Sequence, residues 1–180
     1  MNTLYVMEAA NLFCGDREPD PAHSNHLTIM NVKLPGLEEN YVDHAAGGAP
    51  LAIEIATHIN RLESTFQLMG WQPYVMTLIG QERQDLQRYT CYGLIRDRRT
   101  AKAIEAIGIM EGRLGRVNPT EYRKGDELSH EYSIRGITHY ELYIDKTEVY
   151  WWDFFTSTRR VGGADLNFDL NQLLRIPVSA

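Results

Sequence analysis

Apolar and polar positions alternate with a period of two along much of this chain, and that rhythm predicts strands. The longest run is "ELSHEYSIRGITHYELYI", Glu127 to Ile144. Leu128, Tyr132, Ile134, Tyr140, Leu142 and Ile144 share one parity; Glu127, Ser129, Glu131, Ser133, Arg135 and Glu141 take the other. Fully extended, this segment would span roughly 60 Å at ~3.3 Å per residue. A compact domain of this length has a radius of gyration of only ~16 Å. The segment must therefore bend, with Gly136 the best-placed hinge, or run beyond its own domain. Asp145-Lys146 then turns the chain and "TEVYWWDFF" returns as a partner strand. A two-residue turn sets Leu142 against Val149, Tyr140 against Trp151 and His139 against Trp152. Lys146 suits poorly the positive φ such a turn demands, which leaves a longer turn open.

Further strands are predicted over Leu27 to Leu34, over "LAIEIAT" behind Pro50, over "RLESTFQLM", and over "LQRYTCYGLIRD" and "AKAIEAIGIMEGR". The last is apolar on both faces, so both should be covered. "QPYVMTLIG" predicts a short helix with Pro73 in its first turn and Gly80 at its stop. "ADLNFDLNQLLRI" predicts another, with Asp165 as N-cap and Leu166, Leu170, Leu173 and Leu174 at helical spacing. Residues 1–26 read as a mixed N-terminal loop or arm, 35–50 as an extended loop, 115–127 as a polar loop and 165–180 as a C-terminal segment. Together these make one mainly β, antiparallel domain over 1–180, and the absence of a βαβ rhythm argues against doubly wound folds.

Composition adds limits. At 180 residues the chain is long enough for a core without staples. Its formal net charge of −6 argues against a nucleic-acid binder held by phosphate contacts. The only cysteines are Cys14 and Cys91, which predicts reduced thiols and cytoplasmic synthesis. Neither a secretory signal nor an apolar run of membrane-spanning length is expected.

Candidate chemistry is sparse. Cys14, His23 and His26 lack zinc-finger spacing and a fourth ligand. His44 and His58 stand without a nearby activated nucleophile. "GIMEGRLG" lacks the Gly-Lys-Ser/Thr ending of a phosphate loop. Glu54, Glu105 and Glu131 lie among apolar strand neighbours and read as solvated outer positions rather than an acid/base set. The run Tyr150 to Phe155 should give half its rings to a core and the rest to an interface. No catalytic residue, cofactor or metal is expected.

"EENYVDHAAGGAP", Glu38 to Pro50, is a long small-residue loop that holds a ligand, is slack, or is an arm reaching a neighbouring molecule. A resemblance bears on the choice. "KLPGLEENY" followed by "GGAP" resembles the tail tube proteins of contractile bacteriophages, the P2-like family that includes R-type pyocin tubes. The similarity continues through "LESTFQLMGWQPYVMTLIG", through "IMEGRLGRVNPTEYRKGDELSHEYSIRGITHYELYIDKTEVYWWD" and to Gly163-Ala164-Asp165. Lys124-Gly125-Asp126 matches the family's polar loop, Tyr140 and Leu142 its long strand, and Asp145 its hairpin turn.

The resemblance implies a β-sandwich or barrel-like fold with a flanking helix, its strands shared with neighbours in six-membered rings that stack into a hollow tube. It implies that the loop is an inter-subunit arm, with Glu38, Glu39, Asn40, Tyr41 and Asp43 in the contacts. It implies partners: further copies of the chain, a tail sheath protein, a tape-measure protein, and baseplate or terminator proteins. DNA passes through the channel without specific binding, and no membrane is bound. The location implied is a virion tail assembled in the bacterial host cytoplasm. Glu54, Glu105 and Glu131 are channel-lining candidates, because an acidic wall lets DNA slide. A genome-free injection particle and a monomeric β-barrel binding protein are the other readings.

Overall fold

The computed structural model describes residues 3–15, 18–45, 47–48, 51–80, 86–125 and 127–176. Pro50, Asp126 and residues 177–180 of the expected C-terminal segment lie outside them. The strands are β1 (Tyr5–Cys14), β2 (Ile29–Lys33), β3 (Glu39–His44), β4 (Ile53–Ile59), β5 (Ser64–Met69), β6 (Gln87–Asp97), β7 (Ala103–Pro119), β8 (Ser129–Ile144), β9 (Thr147–Asp153), β10 (Thr158–Val161) and β11 (Ala164–Asp165). Two helices accompany them, α1 (Pro73–Thr77) and α2 (Phe168–Leu174). The fold is mainly β and antiparallel, as the alternation predicts.

One sheet runs β1-β6-β7-β8-β9-β10-β11, and β8 also pairs with β5, which pairs with β2. Strand β8 therefore serves two layers. Its first half, Ser129 to Ile134, pairs with β5, while its second half, His139 to Ile144, pairs with β9. Between them Gly136 sits at φ +57, a left-handed conformation that bends the strand. Strand β7 follows the bend through register shifts at Glu111/Arg113 and Leu114/Arg116. The overlong segment thus folds back over its own core. Among the described residues the sheet does not close: β1 pairs only with β6, and β2 only with β5.

The core lies between the two layers. Tyr89, Met110 and Tyr140 come from one side; Phe66, Leu68, Tyr132 and Ile134 come from the other, all essentially fully buried. Helix α1 closes one end with Val75 and Leu78. Pro73 starts it as expected, Gly80 follows its end at φ +72, and Gln87 Nε2 donates to the Leu78 carbonyl at 3.0 Å.

Five expectations are corrected. The N-terminal 26 residues are not all loop or arm, because β1 is an edge strand; its end, Leu12, Phe13 and Cys14, is buried on both faces, which hides the alternation. Strand β7 extends to Pro119, into the segment read as polar loop, because residues 113–119 pair with β8. Within 35–50, read as an extended loop, Glu39 to His44 form a strand. The β8–β9 turn has the two residues expected of it, with Asp145 at φ 51 and Lys146 at φ 63, but its register is corrected. A register shift beside it opposes Leu142 to Tyr150, Tyr140 to Trp152 and His139 to Asp153, one residue from the expected pairing.

The fifth correction concerns α2. Asn167, not Asp165, takes the N-cap position, while Asp165 lies in β11 and accepts from the Asn167 amide at 2.9 Å. The side toward the protein is polar: Asn167 and Asn171 side chains both donate to the Ser157 carbonyl. Leu166, Leu170, Leu173 and Leu174 are exposed instead of joining the core.

The bend makes a prediction. A Cβ on Gly136 meets no atom within 4 Å, so Gly136→Ala should cost only the left-handed penalty, about 1–2 kcal/mol. At Gly112 a Cβ would approach the Arg135 carbonyl oxygen at 3.0 Å. Gly112→Ala should therefore destabilise more, through overpacking against backbone that cannot move aside. Urea unfolding of the two variants should show both midpoints lowered, that of Gly112→Ala further.

Candidate assembly surfaces

Strands β3 and β4 form a two-stranded sheet of their own, outside the main one. Opposed residues share a face in an antiparallel pair. Val42 opposes Ile55 and His44 opposes Ile53, giving one largely apolar face; Tyr41 opposes Ala56 and Asp43 opposes Glu54, giving an acidic one. Nearly every residue of both strands is exposed, Ile53 at 59% and Val42 at 53%. A lone two-stranded hairpin is marginal in water. Like charges directly opposed weaken it further. Local bonds hold it: Asn60 N donates to the Glu38 carbonyl at 2.8 Å, Thr57 Oγ1 to the Asn40 carbonyl at 3.0 Å, and Tyr41 Oη to Glu39 at 2.8 Å. The Glu39 hydrogen bond, with its charge behind it, raises the Tyr41 pKa.

The structure thus brings Glu38, Glu39, Asn40, Tyr41 and Asp43 together on one projecting hairpin, and adds Glu54, expected in a channel wall. The other two channel candidates lie elsewhere. Glu105 is exposed on the outer face of the layer holding β6 and β7, opposite Leu94. Glu131 is exposed on the outer face of the layer holding β5, opposite Gln67, with Arg116 Nη2 at 3.8 Å. The three do not share a face.

At the hairpin root, where residues 58–63 pass the β8 bend, lies a groove of about 650 Å³. Ile137, Tyr150, Trp152 and Phe154 form its apolar wall, and Arg61, Arg135 and Arg159 its cationic part. Arg135 is engaged by Glu63 at 2.8 Å. The Arg159 Nε is buried and has no hydrogen-bond partner among the described residues. Sequence reasoning missed this groove, since its walls come from segments that only the bend brings together.

The outer face of the main sheet carries a charged cluster that was also missed. His139 Nε2 lies 2.6 Å from Glu141 and Nδ1 lies 3.0 Å from Asp153, with Glu111 opposite on β7 and Trp151 edge-on. Two ionised carboxylates on the two ring nitrogens are both satisfied only by an imidazole with two N–H donors, so the arrangement favours the charged form. Burial pulls the His139 pKa down, but the hydrogen bonds and charges of Glu141, Asp153 and Glu111 outweigh it and the net shift is upward. The His139 hydrogen bond lowers Glu141 despite burial. Burial raises Asp153, and hydrogen bonds from Thr156 and His139 bring it below its ordinary value. Alongside, Arg160 makes paired bonds to Glu148 at 3.0 and 2.7 Å and lies 4.1 Å over the Trp151 ring.

The remaining candidates go to structural places. Cys14 is in the core, His23 stacks on Tyr74, and His26 Nδ1 sits 2.9 Å from Ser24 Oγ. Burial pushes the Cys91 thiol up to about 11. His44 is on the hairpin and His58 lines the groove. Gly108 to Gly115 lie within β7. Of the aromatic run, Tyr150 is buried and Trp152 packs on the core, while Phe154 and Phe155 are exposed. No described helix is long and apolar enough to cross a membrane.

Comparison places this bent antiparallel sandwich with its projecting hairpin among tail tube proteins. The chain belongs to the phage tail tube protein FII family, whose model matches residues 22–174. Among solved structures it is similar to a chain from the cryo-EM structure of an extracellular contractile injection system, the PVC sheath/tube terminator in its extended state. That match has TM-score 0.53 and 6% identity, covering 75% of this chain and 93% of the other. It is also similar to a chain from the six-fold symmetrised cryo-EM structure of the anti-feeding prophage (AFP) baseplate, with TM-score 0.54 and 10% identity, covering 81% and 96%. At these identities the two structures support the fold alone. No curated protein matches the sequence. The family is one of structural tube components.

The His139 cluster fixes a pH response. Its raised pKa stabilises the fold fully below the unfolded value of about 6.5, and that contribution is lost as pH rises through the folded pKa. The lowered Glu141 and Asp153 act oppositely: their contribution is present above about 4 and is lost as pH falls through their folded values. Urea midpoints of the dissociated protein should peak between these limits and decline toward alkaline pH. His139→Gln should lower the peak and remove the alkaline decline.

Proposed function

We propose that copies of this chain form six-membered rings that stack into a hollow tube, and that the tube conducts DNA into the host when a contractile tail fires. The observation carrying this reading is the hairpin, with its apolar face of Val42, Ile53 and Ile55 exposed and uncovered by any described residue. Burying apolar area yields about 25 cal/mol per Å², so such a face drives association. The open edges at β1 and β2 add unpaired backbone that neighbouring copies can complete. Around the tube a sheath protein packs; tape-measure, baseplate and terminator proteins meet its interior and ends. The assembly forms in the bacterial host cytoplasm and ends in the virion tail.

The work is passive. An acidic channel wall keeps DNA moving, because the phosphate backbone finds no cations to release its counterions against. Glu105 and Glu131 occupy opposite outer faces, so at most one of them lines the channel.

A second reading, a tube in a genome-free injection particle, takes support from the fold shared with the injection-system and anti-feeding prophage chains. Isolated particles containing DNA support the first reading; particles lacking it support the second.

Negative-stain microscopy of the concentrated protein tests assembly. Rings and stacked tubes are expected. Ile53→Asp with Ile55→Asp should abolish stacking while leaving the circular dichroism of the single chain unchanged. A wild-type protein that stays monomeric at high concentration would overturn the proposal.

A further inference from the structure

We infer that the groove beside the β8 bend is the receptor for the β3–β4 hairpin of another copy, with Asp43 and Glu54 meeting Arg61 and Arg159. This rests on the tube reading above and names the two halves of one contact within it. Three shortages match. Asp43 and Glu54 stand directly opposed, exposed, and with no ion pair among the described residues. Arg159 presents a buried Nε without an acceptor, and Arg61 is exposed at the groove with no ion pair among the described residues. The groove also offers an apolar wall, and the hairpin an apolar face.

The hairpin cannot fill its own groove. Residues 58–63, which line the groove, are the root of β4. Glu54 lies six residues up the strand from Asn60, about 20 Å away in extended chain, and the β3–β4 ladder holds it there. The occupant is therefore a second copy. Hairpin and groove are different patches, so the contact is heterologous and repeats from copy to copy, as a ring or a stack requires. Removing one partner of such a pair leaves the other charge uncompensated, which is why single reversals should cost much more than paired ones.

Charge reversal and rescue test it, read by sedimentation velocity and tube length. Asp43→Lys with Glu54→Lys should lower the assembled fraction at least about tenfold. Arg61→Glu alone should act in the same direction; being exposed, it spares the fold, whereas Arg159→Glu replaces a half-buried group. All four reversals in one chain should restore tubes. Independently, Glu54→Cys with Arg61→Cys should give disulfide-linked ladders under oxidation, against a low background because Cys14 and Cys91 are buried. Wild-type tubes with indifference to the single reversals, no rescue, or no ladder would overturn the groove assignment while leaving the tube reading intact. A wild-type chain that forms neither rings nor tubes would overturn both.

Discussion

The positive φ of Gly136 is the constraint on which this fold depends. A strand of sixteen residues cannot lie within one layer of so small a domain, and here it does not. Bending at one residue lets it pair with β5 on one side of the bend and β9 on the other. That places Tyr132 and Ile134 opposite Tyr140 and Tyr150 across a single core. It also sets the β4 root, the β9 aromatics and Arg159 around one groove. Core and candidate interface are thus two consequences of one backbone conformation.

The second theme is surface left uncovered. Soluble monomers scatter their exposed apolar residues singly; here they gather on the hairpin and on α2. The helix is inverted: asparagines tie it to the Ser157 carbonyl while its leucines face outward. Sheet closure within the chain would have removed the edges, but among the described residues β1 and β2 each pair along one side only. Exposed apolar surface and open edges of this kind are consistent with membership of the phage tail tube protein FII family.

Much of the fold is legible in the sequence. Strands β2, β4, β5, β6, β8 and β9 and helix α1 follow from alternation, Pro73 and Gly80. Strand β1 was hidden because consecutive burial at Leu12 to Cys14 erases the period-two signal. The β9 register slipped by one since a bulge between Leu142 and Tyr143 leaves no mark in hydropathy. That slip put Trp152 where Asp153 stands and concealed the His139 cluster. The hairpin acids Glu38, Glu39 and Asp43 were singled out through family resemblance, whereas their opposition to Glu54 is a matter of register. The groove was invisible for a different reason: its residues are far apart in sequence and share no pattern.

Hydrogen exchange on dissociated and assembled protein tests the central claim, that this subunit is completed by its copies, most directly. The amides of Glu39 to His44 and Ile53 to Ile59, held only by each other in the single chain, should exchange quickly when dissociated and slow strongly on assembly. Core amides of β6 and β8 should be protected in both states. Equal protection of the hairpin in both states, or fast exchange in both, would contradict the account.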